Sequence, residues 1–254
     1  MEQRTASRKS LFMFIQPGQR IVLKLSGEFL QGKQTHGLCW NTLDRVCRML
    51  VELPQYQWVV VMGGGNFFRG KQGAEYCGQG VADTMGMMAT HFNGLALGAG
   101  LKALGACVSI MTARMVDGVG EPFHVMNANG LLNTGTILVC TGGLGHGAMT
   151  TDTTAVVRAC ELDAYCVIKG TSVNGVYSHD PKTHPDAVFY QRVSFDQAII
   201  QRLGVVDMTA LVLAKSHQKP VVVFSLNHEQ GLRGVLEQSI PYSMICDQRS
   251  RKGH

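Results

Sequence analysis

Residues 136–162 read TILVCTGGLGHGAMTTDTTAVVRACEL. This stretch decides the fold because it passes from an apolar run to a glycine-rich loop and then to a segment with helical composition. The β-branched apolar run at 136–140 predicts a strand, and residues 155–162 predict a helix. The loop between them holds four glycines, several threonines and Asp152. A strand, a glycine-rich loop and a helix in this order aim backbone N–H groups at an anion. The loop therefore predicts either a phosphate or nucleotide site or a surface loop with a threonine helix cap. It matches neither the P-loop nor the dinucleotide fingerprint.

The composition of the 254-residue chain favours a compact protein with a large core. Hydrophobic residues make up 45% of the chain and charged residues 16%, which excludes a disordered protein. The net charge of +5 is mildly basic and favours anionic ligands. The cations are spread along the chain, without a long Lys/Arg run or zinc-finger spacing, so we expect no nucleic-acid partner.

The cysteines and the apolar segments indicate a cytoplasmic protein without a membrane span. None of the eight cysteines forms a C-x-x-C pair, and Cys107, Cys140 and Cys166 lie in apolar runs, where a thiol behaves as a small hydrophobe. We therefore expect reduced core cysteines rather than disulfides or a metal cluster. Residues 1–19 are predicted to be a frayed, disordered extension, because their apolar run is short for a signal peptide. Residues 94–111 are interrupted by Lys102 and predict a core helix followed by a strand.

Predicted strands and helices alternate along the chain. Apolar runs predict strands at 20–25, 57–62, 106–111, 136–140, 164–169 and 220–226. Helical spacing predicts helices at 42–53, 81–104, 122–132, 155–162 and 207–216, with another that opens at Ser194. An Asn174-Gly175 turn signal predicts a hairpin at 171–181. This alternation predicts an α/β fold with a mostly parallel sheet covered on both faces, and ligands then belong at the carboxyl ends of the strands.

Glycines and cations occur at several predicted strand ends. Lys24 is either a cation that faces a ligand or an edge residue that points to solvent. Three glycines at 63–65 follow the second strand, and Arg69 beyond them either pairs with a phosphate or lies on the surface. Lys169 ends a later strand. Asp83, in the first turn of the predicted 81–104 helix, either complements the helix dipole or accepts hydrogen bonds from a hydroxyl ligand. Together these strand ends predict an anion site.

Several motifs between residues 20 and 236 resemble one known family in their order. They are Lys24-Leu-Ser-Gly27, Gly63-Gly-Gly-Asn66, Phe68-Arg-Gly70, Asp83-Thr-Met-Gly-Met87, Thr150-Thr-Asp152, residues 171–177 with Asp180-Pro181, Val206-Asp207 and residues 220–227. The chain resembles the bacterial-type uridylate (UMP) kinases of the amino-acid kinase family. The resemblance implies a three-layer α/β/α sandwich with a mostly parallel central sheet, in a single domain at 20–254. It also implies transfer of the ATP γ-phosphate to UMP, giving UDP and ADP in pyrimidine nucleotide biosynthesis, by a cytoplasmic homohexamer with Mg²⁺.

The resemblance also assigns site residues by position. The implied catalytic residues are Lys24, Arg69 and Asp152. The implied ATP-binding residues are Lys24, Leu25, Ser26, Gly27, Gly65, Arg69, Thr171, Tyr177 and Asp180. The implied UMP-binding residues are Gly64, Asp83, Gly143, Leu144, Gly145, His146, Gly147, Ala148, Met149, Thr150 and Thr151. No metal ligand is assigned.

The chain departs from the family pattern mainly in the acceptor loop. Ala148-Met149 replaces an aromatic pair that most members carry there, and the loop is longer than usual. Two alternatives therefore stay open. One is a kinase of the same superfamily that acts on a carboxylate or carbamate. The other is a non-catalytic nucleotide-binding or storage oligomer, against which the presence of Lys24, Arg69 and Asp152 argues.

Overall fold

A nine-stranded sheet organises the fold, and the computed structural model describes residues 15–247. The strands of this sheet are β1 (Arg20–Leu25), β2 (Gln57–Met62), β3 (Val108–Thr112), β4 (Glu121–Pro122), β5 (Ile137–Thr141), β6 (Cys166–Thr171), β9 (Arg192–Val193), β10 (Val221–Ser225) and β11 (Tyr242–Ile245), and β7 (Val176–Tyr177) and β8 (Phe189–Tyr190) form a separate pair. The order across the sheet is β4-β3-β5-β2-β1-β6-β10-β11-β9. Only the β10–β11 pairing in it is antiparallel, so the expected mostly parallel sheet is confirmed.

Helices cover both faces of the sheet. They are α1 (Gly27–Leu30), α2 (Trp40–Val51), α3 (Gly70–Cys77), α4 (Gln79–Ala103), α5 (Val125–Asn133), α6 (Thr151–Glu161), α7 (Phe195–Ile200), α8 (Met208–Ser216) and α9 (Gly231–Leu236). One buried cluster joins α2, α4 and α9 to the sheet, and a second joins α5, α6 and α8 to the other face. This is the predicted three-layer α/β/α sandwich.

The two-residue period of β1 decides which groups face which layer. Ile21, Leu23 and Leu25 belong to the cluster with α2 and α4, whereas Val22 belongs to the cluster with α6. Because successive side chains point to opposite faces, Lys24 lies on the same face as Val22, toward α6. Burial of each of these aliphatic side chains contributes about 1.5–3 kcal/mol, so this register is strongly held.

The predicted hairpin at 171–181 is wrong. β7 pairs in antiparallel fashion with β8, twelve residues further on, and not across Asn174-Gly175. Gly175 instead lies against β11, where an added Cβ would collide with Ser243 Oγ. The glycine is therefore required by close packing rather than by a tight turn. No strand was predicted at β11 and no helix at α9.

Several predicted boundaries also shift. The helix predicted at 122–132 begins at Val125, because Glu121–Pro122 pairs with β3. The helix predicted from residue 155 begins at Thr151, and α4 begins at Gln79 rather than at residue 81. Asp83 therefore lies beyond the first turn of α4, so its predicted interaction with the helix dipole is wrong.

The prediction of core cysteines is only partly right. All eight cysteines are free thiols, but only Cys47, Cys140, Cys166 and Cys246 are buried, whereas Cys107 is exposed and Cys39, Cys77 and Cys160 are partly exposed. Most of the predicted N-terminal extension, residues 1–14, lies outside the described part of the chain. Among residues 15–247, none of the helices combines the length and the apolar character that crossing a membrane would require.

Candidate active site

Lys24 lies at the centre of the sheet, on β1, which is flanked by β2 and β6. The residue is only 9% exposed, and its Nζ lies 3.0 Å from Asp152 Oδ1. The alternative of an edge lysine that points to solvent is therefore wrong. A lysine this deeply buried requires a negative partner, and the first turn of α6 supplies it.

A second lysine shares the same carboxylate. Lys169 lies directly opposite Lys24 in the β1–β6 register, and its Nζ donates a hydrogen bond to Asp152 Oδ2 and another to the carbonyl of Val205. Lys169 was marked in the sequence only as a charged strand end and received no role. The signal that could have found it is the repeated pattern of a lysine near the end of a buried apolar strand.

The charges of Lys24, Asp152 and Lys169 influence the pKa values of Asp152 and Lys169 at this end of the sheet. Burial raises the pKa of Asp152, but the ammonium groups of Lys24 and Lys169 outweigh burial, so the pKa lies below its usual value and Asp152 stays ionised. Burial lowers the pKa of Lys169, and Lys24 adds to this effect against the opposing charge of Asp152. Two lysines thus share the carboxylate of Asp152, and the charge of Asp207 also acts on Lys169 and raises its pKa. Two lysine side chains at one end of the sheet can bind an anion.

The start of α6 is fixed by threonine hydroxyls. Thr150 is the N-cap, and its Oγ1 accepts hydrogen bonds from the N–H groups of Asp152 (3.0 Å) and Thr153 (3.3 Å). Thr150 Oγ1 also donates to Asp207 Oδ2 (2.5 Å). The threonine cap predicted from sequence is thus present, and it holds Asp152 in the first turn, where the helix dipole also favours its charge.

The loop that follows β2 packs tightly against its neighbours. A Cβ at Gly64 would lie 2.8 Å from Ala89 Cβ in α4, and a Cβ at Gly27 would lie 2.5 Å from Asn66 Oδ1. The amide of Asn66 exchanges two hydrogen bonds with that of Asn93, at 2.9 and 2.7 Å. These glycines therefore bring loop and helix together, in addition to any role beside a ligand.

A cavity of about 300 Å³ lies between this loop, α4 and the acceptor loop, residues 142–150 between β5 and α6. Eight of the residues predicted to bind UMP line it: Gly64, Asp83, Gly143, His146, Gly147, Met149, Thr150 and Thr151. Gly65, predicted on the ATP side, also lines this cavity. Leu144, Gly145 and Ala148 are in the same loop but are not among the lining residues. Gly145 is instead buried against Arg114, with a Cβ position 3.1 Å from Arg114 Cγ.

Asp83 connects α4 to the acceptor loop. Its Oδ2 accepts a hydrogen bond from the N–H of Ala148 (2.9 Å), and its Oδ1 accepts one from Gln79 Nε2 (2.6 Å). A Cβ at Gly147 would collide with Asp83 Oδ2, so only glycine permits this approach. Ala148 adopts a φ of 63°, a left-handed conformation that costs an alanine energy. The sequence did not predict this contact, because 65 residues separate its partners.

A second, larger cavity of about 790 Å³ lies on the other side of the β1 end. Ser26 and Thr171, both predicted to bind ATP, line it together with the cations Lys33, Arg45 and Lys182. None of Lys24, Asp152 and Lys169 lines either cavity, but Ser26 and Thr171 in the larger lining and Thr151 in the smaller lining are their near neighbours in the chain. Two cavities whose linings include chain neighbours of a lysine cluster can hold two anionic ligands near it.

Other predicted ATP residues lie outside this lining. Tyr177 packs edge-on against Phe189, and Asp180 Oδ1 accepts a hydrogen bond from the N–H of Lys182 (3.0 Å). Leu25 is fully buried in the core, and Gly27 is the first residue of α1. The exposed side chain of Arg69 lies 3.5 Å from Glu28 Oε1, and this ion pair is weak enough for Arg69 to exchange partners.

The described residues offer no ready-made metal cage. Between residues 15 and 247 there is no cluster of three or more His, Cys, Asp or Glu side chains that could hold a metal. Both oxygens of Asp152 face lysines. A divalent ion at this end of the sheet would therefore need ligand atoms from a bound phosphate group in addition to those of the protein.

Comparison with known proteins identifies the family of the chain. The model of the amino acid kinase family matches residues 19–225. Uridylate kinases from Roseobacter denitrificans and Cereibacter sphaeroides are each 38% identical to the chain, across 90% and 89% of it and 96% and 94% of their own lengths. The crystal structure of UMP kinase from Ureaplasma parvum superimposes with a TM-score of 0.87 at 31% identity, covering 91% of this chain and all of that one. The UMP kinase structure from Bacillus anthracis gives a TM-score of 0.86 at 28% identity, covering 94% of this chain and all of that one. The chain therefore belongs to the amino-acid kinase family.

Proposed function

We propose that the protein is a UMP kinase, which transfers the γ-phosphate of ATP to UMP and gives UDP and ADP in pyrimidine nucleotide biosynthesis. The relatives named uridylate kinase align with about nine-tenths of the chain. The observation that carries the proposal is the buried cluster of Lys24, Asp152 and Lys169, whose chain neighbours Ser26, Thr171 and Thr151 line two cavities. Neither alternative considered from the sequence is favoured by these findings.

The cluster suits phosphoryl transfer because that reaction depends mainly on positioning and charge neutralisation. Lys24 and Lys169 would face the transferring phosphoryl group, and Asp152 holds the two ammonium groups apart and in place. Each oxygen of Asp152 contacts a lysine ammonium group, by an ion pair at Oδ1 and a hydrogen bond at Oδ2, so Asp152 would orient the lysines rather than remove a proton. A general base is not needed, since a phosphate monoester has a second pKa of about 6 and is largely dianionic at neutral pH.

The smaller cavity is the proposed UMP site. Asp83 would accept hydrogen bonds from the ribose hydroxyls, in exchange for or in addition to its contacts with Gln79 and Ala148. A carboxylate can accept about four hydrogen bonds, so Asp83 can bind the ribose hydroxyls and keep its contacts with Gln79 and Ala148. The backbone and side chains at 143–151 would surround the rest of the nucleotide.

The larger cavity is the proposed ATP site. Ser26 and Thr171 line it, and Lys33 and Lys182 add positive charge. Arg69 would release Glu28 and bind phosphate, for which its planar guanidinium is well suited. Mg²⁺ bound to the ATP phosphates would neutralise charge on them, and the residues of the cluster would bind and orient the phosphoryl group.

The exposed face of α4 supports the proposed homohexamer. Val81, Met85, Met88, Phe92 and Leu95 recur at three- and four-residue spacing, and each is at least 39% exposed. Next to this face, Trp40 and Phe67 help to line an apolar groove of about 680 Å³. An apolar surface of this kind is typical of a protein interface, and a further copy of the chain would cover it. A cytoplasmic location is proposed with it, in line with the eight free cysteines.

Release of ADP against a panel of acceptors tests the proposed function. The full-length protein is incubated with Mg-ATP and, separately, with UMP, CMP, dUMP, carbamate and acetylglutamate. Release that depends on UMP is expected. Release with carbamate or acetylglutamate but not UMP would indicate a different kinase of the family, and nucleotide binding without turnover would indicate a storage protein.

A further inference from the structure

Asp207 holds the N-termini of two helices at once. As the N-cap of α8, it accepts a hydrogen bond at Oδ1 from the N–H of Ala210 (2.9 Å). Its carboxylate also accepts hydrogen bonds from Thr150 Oγ1 (2.5 Å) and from Thr153 Oγ1 (3.1 and 3.2 Å), which belong to the start of α6. A helix cap needs only the first of these contacts. The other two tie α6 to α8 beside the charged cluster.

Thr150 links Asp207 to Asp152 by hydrogen bonds. The Thr150 Oγ1 that donates to Asp207 is the same atom that accepts from the N–H groups of Asp152 and Thr153. Two residues before Asp207, the carbonyl of Val205 accepts a hydrogen bond from Lys169 Nζ. The segment 205–207 therefore restrains one lysine of the cluster directly and the shared carboxylate through Thr150.

We propose that Asp207 is a positioning residue for phosphoryl transfer, which holds the first turn of α6 so that Asp152 stays between Lys24 and Lys169. The inference rests on the proposed kinase function. Asp207 acts through Thr150 and Thr153 and not on a substrate. Displacement of reacting groups by about 1 Å can cost on the order of 100-fold in rate, so a small shift of α6 is enough to affect turnover.

The test compares Asp207→Ala and Asp207→Asn with a matched helix cap elsewhere. Ser194 caps α7 in the same way, by accepting a hydrogen bond from the N–H of Gln197 (3.1 Å), so Ser194→Ala is the control. We expect Asp207→Ala to lower kcat by about 10- to 100-fold and to change the KM for ATP less than twofold. Asp207→Asn keeps an oxygen for Ala210 and an N–H donor for a threonine hydroxyl, so it should restore most of the lost kcat. Ser194→Ala should lower the unfolding midpoint and leave kcat unchanged.

Thr153→Val provides a second variant, in case Asp207→Ala does not fold. It keeps the shape of the buried side chain and removes one hydroxyl that reaches Asp207, so kcat should fall by less than in Asp207→Ala. The wild-type protein is assayed first, and absence of UDP formation there would refute the proposed function itself. If the wild type is active and Asp207→Ala keeps its kcat, or if Asp207→Ala does not fold and Thr153→Val keeps the wild-type kcat, Asp207 is only a helix cap and the inference is wrong. Equal damage in Asp207→Asn and Asp207→Ala would also overturn it.

Discussion

Replacing Asp152 by Asn tests the energetics of the charged cluster. The side chains of Asp152, Lys24 and Lys169 are 11%, 11% and 14% exposed, so all three charges are largely removed from water. Removal of one partner from a buried ion pair typically costs about 3–5 kcal/mol, because the remaining charge is left buried without compensation. Here the carboxylate of Asp152 contacts the ammonium groups of both Lys24 and Lys169. The uncharged amide oxygen of Asn can accept a strong hydrogen bond from only one of these two groups. We therefore expect Asp152→Asn to lower the free energy of unfolding by about 3–5 kcal/mol at pH 7.

The loss should depend on pH in a defined direction. Burial lowers the pKa of Lys169, and Asp152 opposes this, so in the variant the pKa falls further. Between its folded and unfolded pKa values, the unfolded chain binds one more proton than the folded chain, and stability rises with pH. In the variant, the folded pKa of Lys169 is lower, so the pH range over which stability rises begins at a lower pH. The difference in stability between wild type and variant should therefore be smaller at pH 9 than at pH 7.

Urea denaturation at the two pH values measures both effects, and Asp196→Asn is the matched control. Asp196 pairs with Lys215 at the surface, where the side chains are 64% and 38% exposed, so that substitution should cost no more than about 1 kcal/mol. A loss at Asp152 no larger than the loss at Asp196 would refute the reasoning from burial. A loss that grows from pH 7 to pH 9 would refute the account of Lys169.

Three further predictions concern the surroundings of the cluster. Gly147→Ala places a Cβ against Asp83, so the KM for UMP should rise by about tenfold, equivalent to about 1.4 kcal/mol, with the KM for ATP unchanged. The control is Gly130→Ala, because open space surrounds Gly130, and it should leave the KM for UMP and the KM for ATP unchanged in steady-state assays. An unaltered KM for UMP in Gly147→Ala would contradict the prediction. Gly64→Ala should cost about 1–3 kcal/mol in urea denaturation, because its Cβ would press on α4, and unchanged stability would show that the loop can move away. Burial lowers the pKa of His91, so the unfolded chain takes up a proton first as the pH falls below about 6.5, and stability falls. His91→Gln should therefore lose less stability than wild type between pH 6.5 and 5, and parallel losses would contradict this.

The layers of the fold were predictable because they depend on local patterns. The bounds predicted for β1 and β2 agree with the structure, since each is an apolar run that ends at a glycine or a turn. β11 was missed because its four residues follow a proline and their burial comes from pairing with β10, which no local pattern reveals. The false hairpin at Asn174-Gly175 has a similar origin, because a local turn signal was outweighed by packing against β11.

The site was predictable in its residue types but not in its contacts. The sequence placed Lys24 and Asp152 at strand and helix ends, where ligands are expected. The partnership with Lys169 depends on the order of strands in the sheet, because β6 pairs with β1 only in the folded chain. The contact between Asp83 and the Ala148 N–H likewise joins distant segments through a left-handed residue, and such a conformation at a non-glycine position has no clear signature in sequence.

The central claim is that the charged cluster transfers phosphate from ATP to UMP. Anion-exchange chromatography of the nucleotides formed by the wild-type protein with Mg-ATP and UMP tests it most directly, because UMP, UDP, ADP and ATP differ in charge and base and elute separately. The account predicts that UDP and ADP form at equal rates as UMP and ATP are consumed. Formation of ADP and inorganic phosphate without UDP would contradict it.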